Sequence, residues 1–276
     1  MIVAALLLAA SAVQAVAPAG PCPPAAPDPA AAALAAALVE PGRDVRTLIP
    51  TAEQLAARRQ AGIEAKLRDW PQLCRYAAAN HQVAHSPEIV LLGDSLTDFW
   101  QLANPALFGE RIVDRGISGQ TTSQMLVRFY PDVVQLKPRA VQIVAGVNDI
   151  AGNTGPVEFE TIQNNIRAMV ALARANGLEV ILGTSPHITA FWWQPAARPA
   201  ADVARLNAWI TGYARQEGLV LADYGAALAG PDRHVDPKLS NDGVHPNRLG
   251  YTRMQAVLER VIAKLPASRG SARKAP

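Results

Sequence analysis

Cysteine is nearly absent, with only Cys22 and Cys74 in 276 residues. Two thiols are too few for a thiolate-built zinc module or a disulfide-dense scaffold. They can close one disulfide in an oxidising compartment, worth roughly 4 kcal/mol for a loop of about fifty residues, or stay as separate thiols. A lipid-bearing Cys22 fits poorly because Pro21 precedes it. Charge of one sign is also missing: 26 Lys and Arg face 23 Asp and Glu, a net +3. Arg269, Arg273 and Lys274 in the last twelve residues account for that excess, so the body is neutral. A folded basic stripe, the footprint expected of a nucleic-acid binder, is not there. No apolar run reaches the roughly 20 residues a spanning helix needs. The apolar run over residues 2–13, about a dozen long, leads into Ser11-Ala12-Val13-Gln14-Ala15 and reads as a secretory signal cleaved near Ala15. Since no Lys or Arg precedes it, an uncleaved anchor is the other reading. The expected location is periplasmic or extracellular, free or tethered, with no membrane span once the signal is gone. Aromatics make up only 5% of the chain, so any cluster of them is conspicuous.

What is present is apolar bulk, 50% of all residues, enough for a substantial core. Residues 16–49 begin with an almost pure Ala/Pro stretch, prolines standing at 18, 21, 23, 24, 27 and 29, and are expected to form an extended linker. Residues 50–85 are expected to form an N-terminal helical extension: Thr51-Ala-Glu-Gln54 is a capping-box pattern, and Leu55, Ile63 and Leu67 share one helical face up to Trp70-Pro71. From residue 86 to about 265, short apolar runs near 89–92, 111–113, 140–144, 180–182 and 219–222 alternate with helical stretches near 122–136, 157–175, 200–216 and 248–264. That alternation predicts one α/β domain, a flavodoxin-like doubly wound sheet of five parallel strands, followed by a basic tail over 266–276. Such sheets bind ligands beyond the carboxyl ends of their strands, so the residues just after each run carry the chemistry.

Gly93-Asp94-Ser95 follows the first run and sets a hydroxyl where a helix begins, among free backbone N–H groups and at the positive end of the helix dipole. Ser is equally at home there as an N-cap. After the second run, Gly116 and Gly119 frame a loop, and a glycine at 119 lets the backbone aim its N–H at a ligand. Its plainer role is that of a turn residue. The third run ends in Gly146-Val147-Asn148-Asp149, where Asn148 can donate to an oxyanion or cap the next segment, and Asp149 is expected to be structural. Near the C-terminus, Asp242-Gly243-Val244-His245-Pro246 folds an acid and an imidazole over a glycine; chance occurrence is on the order of one in a thousand for a chain this long. A neutral His can take a proton from a hydroxyl when a carboxylate holds its other nitrogen, so turnover is expected to decline in acid.

These four blocks, in this order, resemble the SGNH hydrolases, the GDSL esterase and lipase superfamily. The resemblance covers about residues 86–264. It implies Ser95 as nucleophile, His245 as base and Asp242 as the acid orienting it, with Ser95 N–H, Gly119 and Asn148 as oxyanion donors and no metal or organic cofactor. No Gly-x-Ser-x-Gly occurs, which argues against the α/β-hydrolase nucleophile elbow. Ser185-Pro186-His187 and the group Phe191-Trp192-Trp193 follow the fourth run; His187, Trp192 and Trp193 are candidate substrate contacts, while a loop pinned to the body explains the tryptophans equally well. Trp100 is expected in the core. Asp232-Arg-His234-Val-Asp236 can be read as a chelating triplet but better fits a solvated connection, and no metal is expected. His81 and His85 precede the first strand and are read as surface residues. The sequence therefore predicts an exported carboxylic-ester hydrolase taking lipid, aryl or short-chain esters. Its rivals are a carbohydrate O-acetyl esterase and, from another class, a non-catalytic cell-envelope binding protein. The expected partner is a small-molecule or glycan ester, with no nucleic acid.

Overall fold

The computed structural model describes residues 22, 28–57, 60 and 69–266. The segment read as a secretory signal, the basic tail and the Ile63 and Leu67 positions lie outside the described residues. Five parallel strands run in the order β2-β1-β3-β4-β5: β1 (Ile89–Gly93), β2 (Ile112–Gly116), β3 (Ala140–Val144), β4 (Glu179–Gly183) and β5 (Val220–Ala222). Helices cover both faces, so the strands read as continuous apolar runs instead of alternating ones. Val90, Leu92, Val141, Ile143, Val180 and Leu182 point to one side. There they meet α4 (Thr122–Asp132), α5 (Phe159–Ala175) and α6 (Ala200–Glu217). Ile89, Leu91, Val144 and Ile181 point to the other, toward α3 (Ser95–Ala103) and α7 (Arg248–Ile262). Trp100 lies fully buried in this second layer, as expected. This is the flavodoxin-like doubly wound fold, and its strand order reverses between β1 and β3.

Two glycines set how closely the layers meet at that reversal. Gly93 and Gly116 pair in register at the carboxyl ends of β1 and β2. A Cβ on Gly116 would come 2.2 Å from Asp98 N and 2.7 Å from Thr97 C, the backbone of the first turn of α3. A side chain there would therefore displace the turn that carries Ser95.

The Ala/Pro-rich stretch expected to stay extended is instead helical over α1 (Pro29–Val39). Asp28 caps it, its Oδ1 accepting from Ala30 N at 2.9 Å and Ala31 N at 3.2 Å, and Pro29 takes the first helical position, where a missing N–H costs nothing. Alanine is the strongest helix former, and burial of Leu34, Leu38 and Val39 fixes the helix on the body. The capping box at residues 51–54 is formed, Thr51 N donating to Gln54 Oε1 at 2.9 Å and Gln54 N to Thr51 Oγ1 at 3.2 Å. A disulfide joins Cys22 to Cys74, the first residue of α2 (Cys74–Gln82). No helix among the described residues is long and apolar enough to cross a membrane.

Candidate active site

Asp94, not Ser95, is the N-cap of α3: its Oδ1 accepts from Leu96 N at 2.9 Å. The Ser95 hydroxyl is thereby left for another partner, and Ser95 Oγ lies 2.9 Å from His245 Nε2. His245 Nδ1 lies 2.7 Å from Asp242 Oδ2. A proton on Nδ1 donated to the carboxylate leaves Nε2 as an acceptor for the serine O–H. The imidazole is held between the rings of Phe99 and Trp193, with centroids at 5.1 and 6.1 Å.

Asp242 is buried and heavily bonded. Its Oδ1 accepts from Val244 N at 2.9 Å, His245 N at 2.8 Å and Ser240 Oγ at 3.2 Å. Its Oδ2 accepts from His245 Nδ1 and from Trp192 Nε1, the latter at 3.1 Å. Burial alone would raise the carboxyl, but the charge and hydrogen bond of His245 and the two backbone N–H groups outweigh it and hold Asp242 down to about 2.

Gly119 sits at φ +80° at the cavity rim, and its N–H finds no acceptor among the described residues. A Cβ there would meet nothing nearer than Asn153 Nδ2 at 3.7 Å, so the left-handed backbone, and not lack of room, calls for glycine. Ser118 N and Oγ fasten the loop by donating to Asp98 Oδ2 at 3.0 and 2.6 Å. The Ser95 N–H, in the first turn of α3, has no helical acceptor. Asn148 also lines the cavity, but its carboxamide is otherwise engaged. Its Nδ2 donates to Asp94 Oδ2 and to Gln120 O, both at 3.1 Å. Asn148, expected either to donate to an oxyanion or to cap the next segment, would reach an oxyanion by sharing or exchanging one of those bonds. Asp149 is structural as expected, its carboxylate accepting from Thr122 N at 2.8 Å and Thr122 Oγ1 at 2.6 Å at the start of α4.

Of the three candidate substrate contacts, Trp192 and Trp193 line the cavity and His187 does not. His187 rests against Gly225 of the short helix Tyr224–Leu228, where a Cβ would come 3.1 Å from its Nε2. The tryptophans do more than form a wall. Trp192 donates to the acid, and Trp193 Nε1 donates at 3.1 Å to Asn153 Oδ1. Asn153 Nδ2 in turn donates to Gly119 O at 3.0 Å and Asn148 Oδ1 at 2.8 Å. Asp232 and Asp236 cap their own loop, accepting from His234 N and Lys238 N.

Sequence reasoning missed Arg128. This fully buried guanidinium donates to Gly93 O at 3.0 Å, Arg115 O at 2.8 Å and Asp132 Oδ2 at 3.1 Å, and also to Gln120 Oε1. It ties together the ends of β1 and β2 and the loop behind Gly119. Its only sequence signal is an Arg on the apolar side of α4.

The cavity bounded by these groups has a volume of about 280 Å³. Ser95, His245, Gly119 and Asn148 give it a polar lining; α1, Phe99 and Trp192, which pack as one cluster, give it an apolar end, and Trp193 lies against the His245 ring.

Comparison with known proteins gives a consistent result. The model of the GDSL-like lipase/acylhydrolase family matches residues 91–253. A Bacteroides fragilis structure assigned as an acylhydrolase is 37% identical, covering 71% of this chain and 98% of its own, with a TM-score of 0.68. A GDSL-like lipase from Bacteroides thetaiotaomicron is 34% identical over 70% of this chain and 98% of its own, TM-score 0.67. A catalytic mutant of an acetylxylan esterase from Geobacillus stearothermophilus, 21% identical over 64% of this chain and 94% of its own, shares the fold at a TM-score of 0.53. No curated protein matches the chain.

Proposed function

The chain belongs to the GDSL-like lipase/acylhydrolase family of SGNH hydrolases, and on that premise we propose that it is an exported, serine-dependent carboxylic-ester hydrolase acting through Ser95, His245 and Asp242. The observation that carries this reading is the relay of two contacts, 2.9 Å from Ser95 Oγ to His245 Nε2 and 2.7 Å from His245 Nδ1 to Asp242 Oδ2.

Ser95 Oγ attacks the acyl carbon as His245 Nε2 takes its proton, and the carbonyl π-electrons move onto oxygen. The N–H groups of Ser95 and Gly119 receive that charge, joined by Asn148 once one of its bonds is shared. The tetrahedral species collapses, the alkoxide leaves with the proton from His245, and an acyl-serine remains. Water attacks it through the same base and the carboxylic acid departs. Asp242 stabilises the imidazolium formed in each half.

The apolar end of the cavity favours an acyl chain over a bare acetyl group, so lipid, aryl or short-chain esters precede O-acetyl removal from a glycan among the candidates. The Cys22–Cys74 disulfide supports an oxidising compartment and hence export.

The test is hydrolysis of p-nitrophenyl esters of increasing length beside an acetylated glycan, with Ser95→Ala as control. Ser95→Ala should lose at least about three orders of magnitude in kcat with the fold retained. Wild type should be covalently labelled by a fluorophosphonate at Ser95. Ordinary turnover by folded Ser95→Ala would overturn the nucleophile, and a folded wild type inert to probe and panel alike would favour a binding protein.

A further inference from the structure

We propose that α1 is this chain's own acyl-selectivity wall, so that the preferred substrates are esters of acyl chains several carbons long. The inference rests on the ester-hydrolase reading above and adds the part of the substrate that the chemistry does not define.

Ala31, Leu34, Ala35 and Leu38 recur at i, i+3, i+4 and i+7, one continuous face of α1, and all four line the cavity, where Leu34 and Leu38 pack with Phe99 and Trp192. The family match begins at residue 91, so this wall lies outside the part of the chain that defines the family. Cys22, which precedes the helix in sequence, is bonded covalently to Cys74 of α2. At the C-terminus of α1, Asn241 Nδ2 donates to the carbonyls of Ala37, Leu38 and Glu40 at 3.2, 3.1 and 2.6 Å, and Arg248 pairs with Glu40 at 2.7 Å. Asn241 occupies the position just before the triad acid.

The division of the cavity then dictates the substrate. With the ester carbonyl at the Ser95 and Gly119 N–H groups, the acyl chain has the α1 side, apolar throughout, as its apolar surface. Each methylene it buries is worth up to about fourfold in kcat/KM, so activity should climb from acetyl toward longer esters until the space is filled.

The experiment measures the ratio of octanoyl to acetyl kcat/KM on p-nitrophenyl esters in full-length protein. Ala31 is exposed at the cavity mouth, so replacing it need not disturb the core. Ala31→Trp fills the mouth. Ala31→Asp sets a charge against the alkyl path while suiting the first helical turn, where a carboxylate meets the positive end of the dipole. Both should lower the ratio at least tenfold. Ala33→Trp, on the exposed opposite face of the same helix, should leave it within twofold of wild type. If the Ala31 variants also keep the wild-type ratio while wild type cleaves esters through Ser95, the wall is overturned and the hydrolase reading stands. If wild type cleaves no ester and resists the fluorophosphonate, it is the hydrolase reading that fails, and the wall falls with it.

Discussion

Trp192→Phe separates two duties that one side chain performs. The substitution keeps an aromatic ring at the cavity wall and removes only the indole N–H that donates to Asp242 Oδ2 at 3.1 Å. Five donors serve that buried carboxylate: Val244 N, His245 N, Ser240 Oγ, His245 Nδ1 and Trp192 Nε1. A hydrogen bond to a charged group contributes about 1.5–3 kcal/mol, and the length of this one argues for the lower end. If all of it is felt by the ion pair that forms with imidazolium in the transition state, the loss is about tenfold in kcat. Part of it is shared by the resting carboxylate, which sets the expected range at about 3- to 10-fold. In the proposed mechanism Asp242 acts at every turnover, so the loss should be uniform across acyl lengths, with KM little changed. The assay is kcat and KM on acetyl, butanoyl and octanoyl p-nitrophenyl esters, with thermal melting to confirm folding. A variant that kept full kcat on acetyl and lost only the longer esters would refute the bracing argument and leave Trp192 as a wall alone.

Arg128→Met keeps volume but removes one donor from each of four acceptors, leaving the buried Asp132 carboxylate with the Asn80 amide and no cation. A broken buried pair costs about 3–5 kcal/mol, or roughly 6–20 °C in melting temperature for a domain of this size; calorimetry showing a shift under about 2 °C would contradict the role assigned to it. The Asp114 carboxyl is pushed up to about 8 by burial, against which the hydrogen bond from Gly116 N works. A carboxyl raised in the fold contributes stability that is complete below its unfolded value near 3.9 and is lost as pH rises through about 8. Asp114→Asn keeps the acceptor for Gly116 N and cannot ionise, so the melting temperature of wild type should fall relative to the variant between pH 5 and 8. Parallel curves would count against that ionisation.

The sheet and its active edge could be read from the chain because the same residues that make a parallel strand end also make a binding rim. Each of the first three apolar runs gives way within a few residues to glycine and a short polar group, at 93–95, 116–119 and 146–148. Strand register then brings Gly93, Gly116 and Val144 to one level. Asp242 and His245 are three apart on one turn, so their contact is local. What could not be read is the partnering of groups whose role depends on distant residues. Asn148 reads as a donor or a cap, and its bonds to Asp94 and Gln120 depend on residues far away in sequence. His187 sits at the carboxyl end of the fourth run like the others, yet its ring turns toward Gly225. Arg128 stands as a lone cation on the apolar side of its helix, and only the carbonyls of Gly93 and Arg115 explain its burial.

The failure at α1 has a different cause. A run of alanines has neither a marked apolar stripe nor a polar face, and the prolines before it suggest an extended chain. Two local signals oppose that reading, the Asp28-Pro29 start and the Leu34 and Leu38 pair one turn apart. Both are weak alone, because an isolated helix of eleven residues is marginal in water even when rich in alanine. Tertiary contact decides the matter: Leu34 and Leu38 cluster with Phe99 and Trp192, and Asn241 receives the last carbonyls. The chain thus uses consecutive residues of one turn for two tasks, Asn241 seating the helix that closes the apolar end of the cavity and Asp242 orienting the imidazole. The side-chain bonds that seat α1 and the carboxylate that meets the His245 ring therefore belong to adjacent residues.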